Sequence, residues 1–320
     1  MVKKYIKKIV YDNLLSCNFI LPVAKSIRAI FVLHDVSNSE DKTYTPYYST
    51  TPQKFKQTIE YIHSNFNIIS LDAIHQQELP TLSHKHYAAI VFDDGFKSVY
   101  TTVNPFLQKN KIPFSIFVNK QAVTENWLWF SHVYYAQQEN NQEYLSKIFE
   151  NYIPSNTINY EQFIRNPVTY LNNSNLLTDD YVLFQDEKYK KIETYMNEDE
   201  IMQLHNKGVV IGNHTLSHKQ LSSCIESIVA QEIVENKKYI EFLTQKECKH
   251  FAIPFGFMTT YNQQVLKIAE ENHSYIYSTK RSFFKISDIL QTIPRIALID
   301  ETKGKIMSYI NFPFIRKVKM

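Results

Sequence analysis

Short apolar runs alternate along this chain with longer segments that carry apolar residues at helical spacing. The run over 29–34 has strand character from Ile30, Phe31 and Val32. Thr51-Pro52 then predicts a helix start, with Thr as the N-cap and Pro at the first helical position; Phe55, Ile59, Ile62 and Phe66 follow at helical spacing. Further strands are predicted over 68–71, 86–93, 113–118, 209–214, 250–255, 275–279 and 293–298. Helices are predicted over 97–109 despite Pro105, over 197–206 with an acidic first turn, and over 222–244, which carries Ile225, Val229, Ile233, Ile240 and Leu243. Strands separated by helices imply an α/β fold with a parallel sheet, and seven or eight of them suit an irregular (β/α) barrel.

Residues 121–195 break the rhythm. They are rich in Tyr, Asn, Gln and charge, hold both tryptophans, Trp127 and Trp129, and are too many for an ordinary connection. They read as an insertion after a strand, on the face where barrel active sites lie, serving either to cover a substrate or as a helical decoration. The expected organisation is an N-terminal extension over 1–27, a barrel over 28–300 and a basic, aromatic tail over 301–320.

Composition narrows the function. With 320 residues and 44% hydrophobic content the chain can bury a full core. Its 35 basic and 32 acidic side chains, net +3, are too balanced for a nucleic-acid binder. Cys17, Cys224 and Cys248 are odd in number and form no C-x-x-C pair, which argues against a disulfide framework and for a reducing compartment. Lys7, Lys8, Asp12 and Asn13 interrupt the first segment, so neither a signal peptide nor a transmembrane span is expected, and the expected location is cytoplasmic. Lys3, Lys4, Lys7, Lys8 and the tail from Phe312 to Lys319 leave room for a peripheral membrane contact, although a solvated helix and tail is the simpler reading. Gly is scarce, with 5 residues, and Gly95, Gly212 and Gly256 each touch a segment with chemical character.

The first such segment is Asp93-Asp94-Gly95, which closes the apolar run Ala88 to Phe92. The second is Gly212-Asn213-His214-Thr215-Leu216-Ser217-His218, which closes Val209 to Ile211. Alone, Asp-Asp-Gly reads as a capping turn, and His-x-x-x-His as an exposed pair. Together, at the ends of two strands, they read as one metal site with a spare carboxylate to act as a base. Histidines at i and i+4 share one side of a helical or tight-turn backbone.

Phe92 to Gly95 resembles the first motif of the polysaccharide deacetylase family (NodB homology domain, carbohydrate esterase family four). His214 to His218 resembles its second motif, and Phe251-Ala252-Ile253-Pro254-Phe255-Gly256 its third. The resemblance runs from about Ile30 to Leu298, outside the insertion. It implies that Asp94, His214 and His218 bind a divalent metal, usually Zn2+, that Asp93 is the general base, and that the Phe255 N–H holds the oxyanion. It implies an acetylated glycan as substrate, with an N-acetylhexosamine unit losing its acetyl group. Two departures stand out. The third-motif Arg of common members is absent, and Arg295, in Ile293-Pro294-Arg295-Ile296, could supply the guanidinium from elsewhere. The C-terminal acid motif is also absent. Val32-Leu33-His34-Asp35 instead resembles a circularly permuted branch in which the acid histidine comes first, making His34 the expected general acid. Trp127, Trp129 and His132 would form either a sugar-stacking wall or the insertion's own small core. An O-acetyl esterase on the same site, and a non-catalytic glycan-binding protein on this fold, remain open alternatives.

Overall fold

The computed structural model describes residues 27–45, 47–79, 86–153, 158–173, 186–280, 282–288 and 290–298. The N-terminal lysines and the C-terminal tail that leave room for a membrane contact lie outside the described residues, as does Cys17.

Among the described residues there are eleven strands: β1 Arg28–Leu33, β2 Asp35–Val36, β3 Ser49–Thr50, β4 Phe66–Ile68, β5 His86–Phe92, β6 Ser115–Val118, β7 Val210–Asn213, β8 His250–Ala252, β9 Tyr275–Ser278, β10 Ile293–Pro294 and β11 Ile296–Ala297. The main sheet runs β10-β9-β8-β7-β6-β5-β1-β11, with β4 beside β5, and every pairing in it is parallel. Helices between successive strands force that direction. The expected final strand over 293–298 breaks at Arg295: its first half pairs with β9 and its second half with β1. One short segment thus spans the two edges of the sheet, and the (β/α) barrel is nearly closed.

The lumen is packed rather than open. Ile30, Val32, Ala89, Val91, Phe117, Ala252 and Tyr277 form one buried cluster, as alternate side chains of barrel strands must. Gly212 makes room for it. A Cβ there would run into the Phe117 ring, so any larger residue would push that ring off its place. Outside the sheet, the helices cover it through larger clusters that include Phe55, Ile59 and Ile62 on one side and Val229, Ile233 and Val265 on another.

Helix starts follow the local chemistry. Thr51 caps the helix Pro52–Asn65 by accepting from the Lys54 N–H, with Pro in the first turn. Asn197 and Glu200 form a capping box at the head of Glu198–Asn206, whose first turn is acidic. Two expectations are corrected. The strand expected over 68–71 is Phe66–Ile68: Phe66, part of the apolar stripe of the preceding helix, turns extended and pairs with His86. The helix expected from 222 starts at Glu226, after a short 3-10 turn over Leu221–Ser223 and an extended Ile225.

Between β6 and β7 the chain forms a helical layer that includes Lys120–Glu125, Trp129–Gln138, Gln142–Tyr152 and Tyr160–Arg165. Its interior is aromatic: Trp127, Trp129, Tyr135 and Tyr189 are fully buried. Trp127, Trp129 and His132 are therefore no sugar-stacking wall. They are the core of this layer, because burial of such large rings contributes most where several pack together. No helix among the described residues is long and apolar enough to cross a membrane.

Candidate active site

All seven residues singled out from the sequence, His34, Asp93, Asp94, His214, His218, Phe255 and Arg295, line one cleft of about 450 Å³ at the carboxyl ends of the strands. The convergence is made by turns of unusual hand. Asp94, Thr215, His218 and Phe255 all have positive φ, between 59° and 68°. That region is costly for residues with a Cβ, and it clusters where a site is held in a set geometry. In an extended strand Asp93 and Asp94 would point to opposite faces. The left-handed turn at Asp94, continued by Gly95 at φ 74°, brings both carboxylates into the same cleft.

The His214–His218 loop is not helical; it is a tight turn built on polar side chains beneath it. Asn119 Nδ2 donates to the carbonyls of His214 and Thr215. Asn213 Oδ1 accepts from the Thr215 N–H at 2.8 Å and from Asn236 Nδ2 at 2.6 Å. Glu232, buried on the following helix, accepts from the Ser217 N–H at 2.9 Å and from the Ser217 hydroxyl. From the helical layer, Trp129 donates its indole N–H to the His218 carbonyl at 3.3 Å, and the Phe130 and Phe255 rings pack edge-on against the His218 ring.

Three groups fit a cation. One ligand atom each from Asp94, His214 and His218 lies within 4.8 Å of the others, and all three residues are buried. Asp94 Oδ1 stands 3.4 Å from both His214 Nε2 and His218 Nε2, and it has no hydrogen-bond partner. A buried carboxylate oxygen without a donor carries a desolvation cost that a cation would relieve. His214 Nδ1 lies 2.7 Å from the Ala252 carbonyl, which can only accept, so in the neutral ring the Nε2 lone pair faces the cleft. Burial pushes His218 down to about 4, so its ring is neutral at pH 7, the form that ligates metals.

The charge balance agrees. Burial raises the pKa of Asp93, but Arg295, His214 and His34 outweigh it and hold the carboxyl below its ordinary value. For Asp94 burial is likewise outweighed, chiefly by His218 and His214. Two ionised carboxylates thus face one guanidinium, and the excess negative charge lifts His214 against its own burial. Such a field favours a cation.

Asp93 is held on the other side. Arg295 Nη1 donates to its Oδ1 at 2.7 Å, and Arg295 is itself 1% exposed. The break between β10 and β11 falls at Arg295, whose guanidinium also stacks over Phe117 at 5.3 Å. Asp93 Oδ2 is 3.7 Å from His214 Nε2 and 4.0 Å from His34 Nε2. His34 follows β1 and is the partly open member of the group.

The sequence reading missed the wall of the cleft. Tyr47 and Tyr48, between β2 and β3, and Phe130 and Tyr134, on Trp129–Gln138, all face it. Tyr47 stacks on Tyr134 with ring centroids 4.8 Å apart. The spacing of Phe130 and Tyr134 is a helical i,i+4 pair, which signals a packed face but not which element it meets.

A family model described as "Polysaccharide deacetylase" matches residues 82–275. His34 and Arg295 lie outside that match. Among solved structures, the fold resembles the Streptococcus pyogenes deacetylase PplD in complex with acetate (14% identity, TM-score 0.57, covering 91% of this chain and 99% of that one). It also resembles IcaB from Ammonifex degensii (15% identity, TM-score 0.58, 89% and 97% covered). A de-N-acetylase from Aggregatibacter actinomycetemcomitans is similar at 13% identity and TM-score 0.56, with 89% and 100% covered. No curated protein matches the chain in sequence.

Proposed function

The chain belongs to the polysaccharide deacetylase family, and on that premise we propose that it is a metal-dependent hydrolase that releases acetate from N-acetylhexosamine units of a poly- or oligosaccharide. The observation that carries this reading is the unsatisfied Asp94 oxygen between the Nε2 atoms of His214 and His218, with a second carboxylate, Asp93, held beside it by Arg295.

Asp94, His214 and His218 are the ligands in this reading. When bound, a divalent metal, most readily Zn2+ with this donor set, supplies a lowered pKa to water and polarises the acetyl carbonyl. Asp93 accepts the proton of the attacking water. Arg295 keeps that carboxylate ionised and oriented, since a guanidinium at 2.7 Å favours the charged form. Water adds to the acetyl carbon, and the Phe255 N–H donates to the resulting oxyanion. His34 gives its proton to the amide nitrogen as the carbon–nitrogen bond breaks, leaving acetate and a free amino sugar. The first-strand placement of His34 is the order expected of the circularly permuted branch.

The test is acetate release from N-acetylglucosamine oligomers by Zn2+-loaded protein, with Asp93→Asn in parallel and matched O-acetyl sugars as a second substrate. Release from the N-acetyl substrate that vanishes in the variant is expected. Faster release from the O-acetyl sugars would make the protein an esterase, and tight glycan binding with no release from either substrate would make it a binding protein.

A further inference from the structure

No hydrogen bond holds the buried Nδ1 of His34, and its Nε2 approaches Asp93 Oδ2 only to 4.0 Å. Its ring must therefore be aimed by the backbone that carries it. The next residue, Asp35, is 1% exposed and gathers three hydroxyls. Its Oδ2 accepts from Ser37 Oγ and, at 2.7 Å, from Ser49 Oγ; its Oδ1 accepts from Ser98 Oγ at 2.7 Å. Two of those hydroxyls in turn hold backbone. Ser98 Oγ accepts from the Val36 N–H at 2.9 Å, and Ser49 Oγ from the Thr45 N–H at 2.9 Å.

The far ends of these bonds lie next to the cleft. Ser49 follows Tyr48 of the cleft wall, and Ser98 lies four residues beyond Asp94, at the start of the helical segment that follows the turn. One carboxylate thus ties together the end of β1, the start of β3 and the chain that leaves the Asp93-Asp94 turn. Burial raises the Asp35 carboxyl above its ordinary value, against the three hydroxyls that donate to it. A carboxylate accepts on both oxygens, whereas an amide accepts on one atom and turns its NH2 toward a hydroxyl that must then reorient.

We infer that Asp35 is a positioning residue for the reaction, holding His34 in register with Asp93 across the cleft through Ser37, Ser49 and Ser98. The inference rests on the acid role proposed for His34. Its signature is dependence on the leaving group. An amine cannot depart without a proton, whereas a nitrophenolate can, so misplacing His34 slows the amide and spares the activated ester.

The experiment compares wild type, Asp35→Asn and His34→Ala, each Zn2+-loaded, on N-acetylglucosamine oligomers and on p-nitrophenyl acetate, with metal content measured for each. A displacement of this kind costs up to about 10²-fold in rate. The expected result is a kcat on the oligomers lowered by about that factor in Asp35→Asn, with KM and metal content unchanged and the ester rate kept, in parallel with His34→Ala. An equal loss on both substrates, a loss of metal, or no loss at all would overturn the inference. Wild type inactive on both substrates would instead sink the proposed function. The positioning claim is then read from a crystal structure of Asp35→Asn, where a 4.0 Å His34–Asp93 approach that persists overturns it and a widened one upholds it.

Discussion

Two pairs of histidines sit at opposite ends of the same parallel sheet, and their ring nitrogens are used in opposite ways. His214 and His218 follow β7, with Asp94 between their Nε2 atoms and its Oδ1 unbonded. His250 begins β8, near His75, and both are tied up. The Tyr277 hydroxyl lies 2.7 Å from His75 Nε2 and 2.7 Å from His250 Nδ1, and His250 Nε2 lies 2.8 Å from Asp72 Oδ1. Tyr275 stacks on His75 at 4.0 Å. The residue types are the same: two imidazoles and a carboxylate. The two lower imidazoles are buried and have closed hydrogen bonds within the protein, which makes them pieces of the core, while the Asp72 carboxylate is largely exposed. The upper set leaves a buried carboxylate oxygen unbonded between two imidazole nitrogens, which makes it a place for a cation. What remains unbonded distinguishes the two more sharply than which residues are present.

The largest expected effect tests the upper cluster. Asp94→Asn should release Zn2+ on gel filtration, whereas Asp93→Asn should retain it and lose about 10²–10⁴-fold in turnover, as removal of a general base does. Equal metal loss from the two variants would erase the division of labour between the neighbouring carboxylates.

A smaller effect is expected at the lower cluster. Tyr277→Phe removes the hydroxyl that two buried imidazoles share, at a cost of about 1–3 kcal/mol in urea unfolding. Metal content and turnover of the folded protein should stay at wild-type values. A fall in metal content would show that the two ends are coupled and undo the contrast.

A further effect is in pH dependence. Burial, reinforced by His250 and Arg28 and opposed by Asp72, lowers His75 to about 3, against about 6.5 in an unfolded chain. The unfolded state therefore binds the extra proton between those values. The contribution of the neutral ring is complete above about 6.5 and is lost as pH falls toward 3. Unfolding free energy measured from pH 7 to 4 should decline less steeply in His75→Phe than in wild type. Identical slopes would mean that His75 does not titrate as a closed, buried group.

Much of this was legible in the chain. The alternation of apolar runs and helical stripes predicts the barrel, because each element must show one face to a common core. Thr51-Pro52 and Asn197 predict helix starts, because capping is satisfied within four residues. The metal-ligand types at two strand ends are visible for the same reason: a strand that ends in Asp-Asp-Gly or in Asn-His must place polar groups at its mouth. Less legible were contacts that depend on distant partners. Phe66 fits a helical stripe until β5 supplies a strand to pair with. Trp127, Trp129 and His132 suit a sugar platform or a core equally well until Tyr135 and Tyr189 pack around them. Asp35 is unremarkable as a sequence position, since Ser49 and Ser98 are far away in it.

By itself, then, the sequence determined which residues could ligate, accept a proton or turn the chain, since these are properties of a side chain and its immediate neighbours. The family resemblance also pointed to Arg295 as a residue that could supply the guanidinium. Only the tertiary structure decided that Arg295 meets Asp93, that Asp94 is left without a donor while His250 is not, and that Asp35 joins three segments. Those outcomes depend on strand register, left-handed turns and burial, which set distances between residues that the chain keeps far apart.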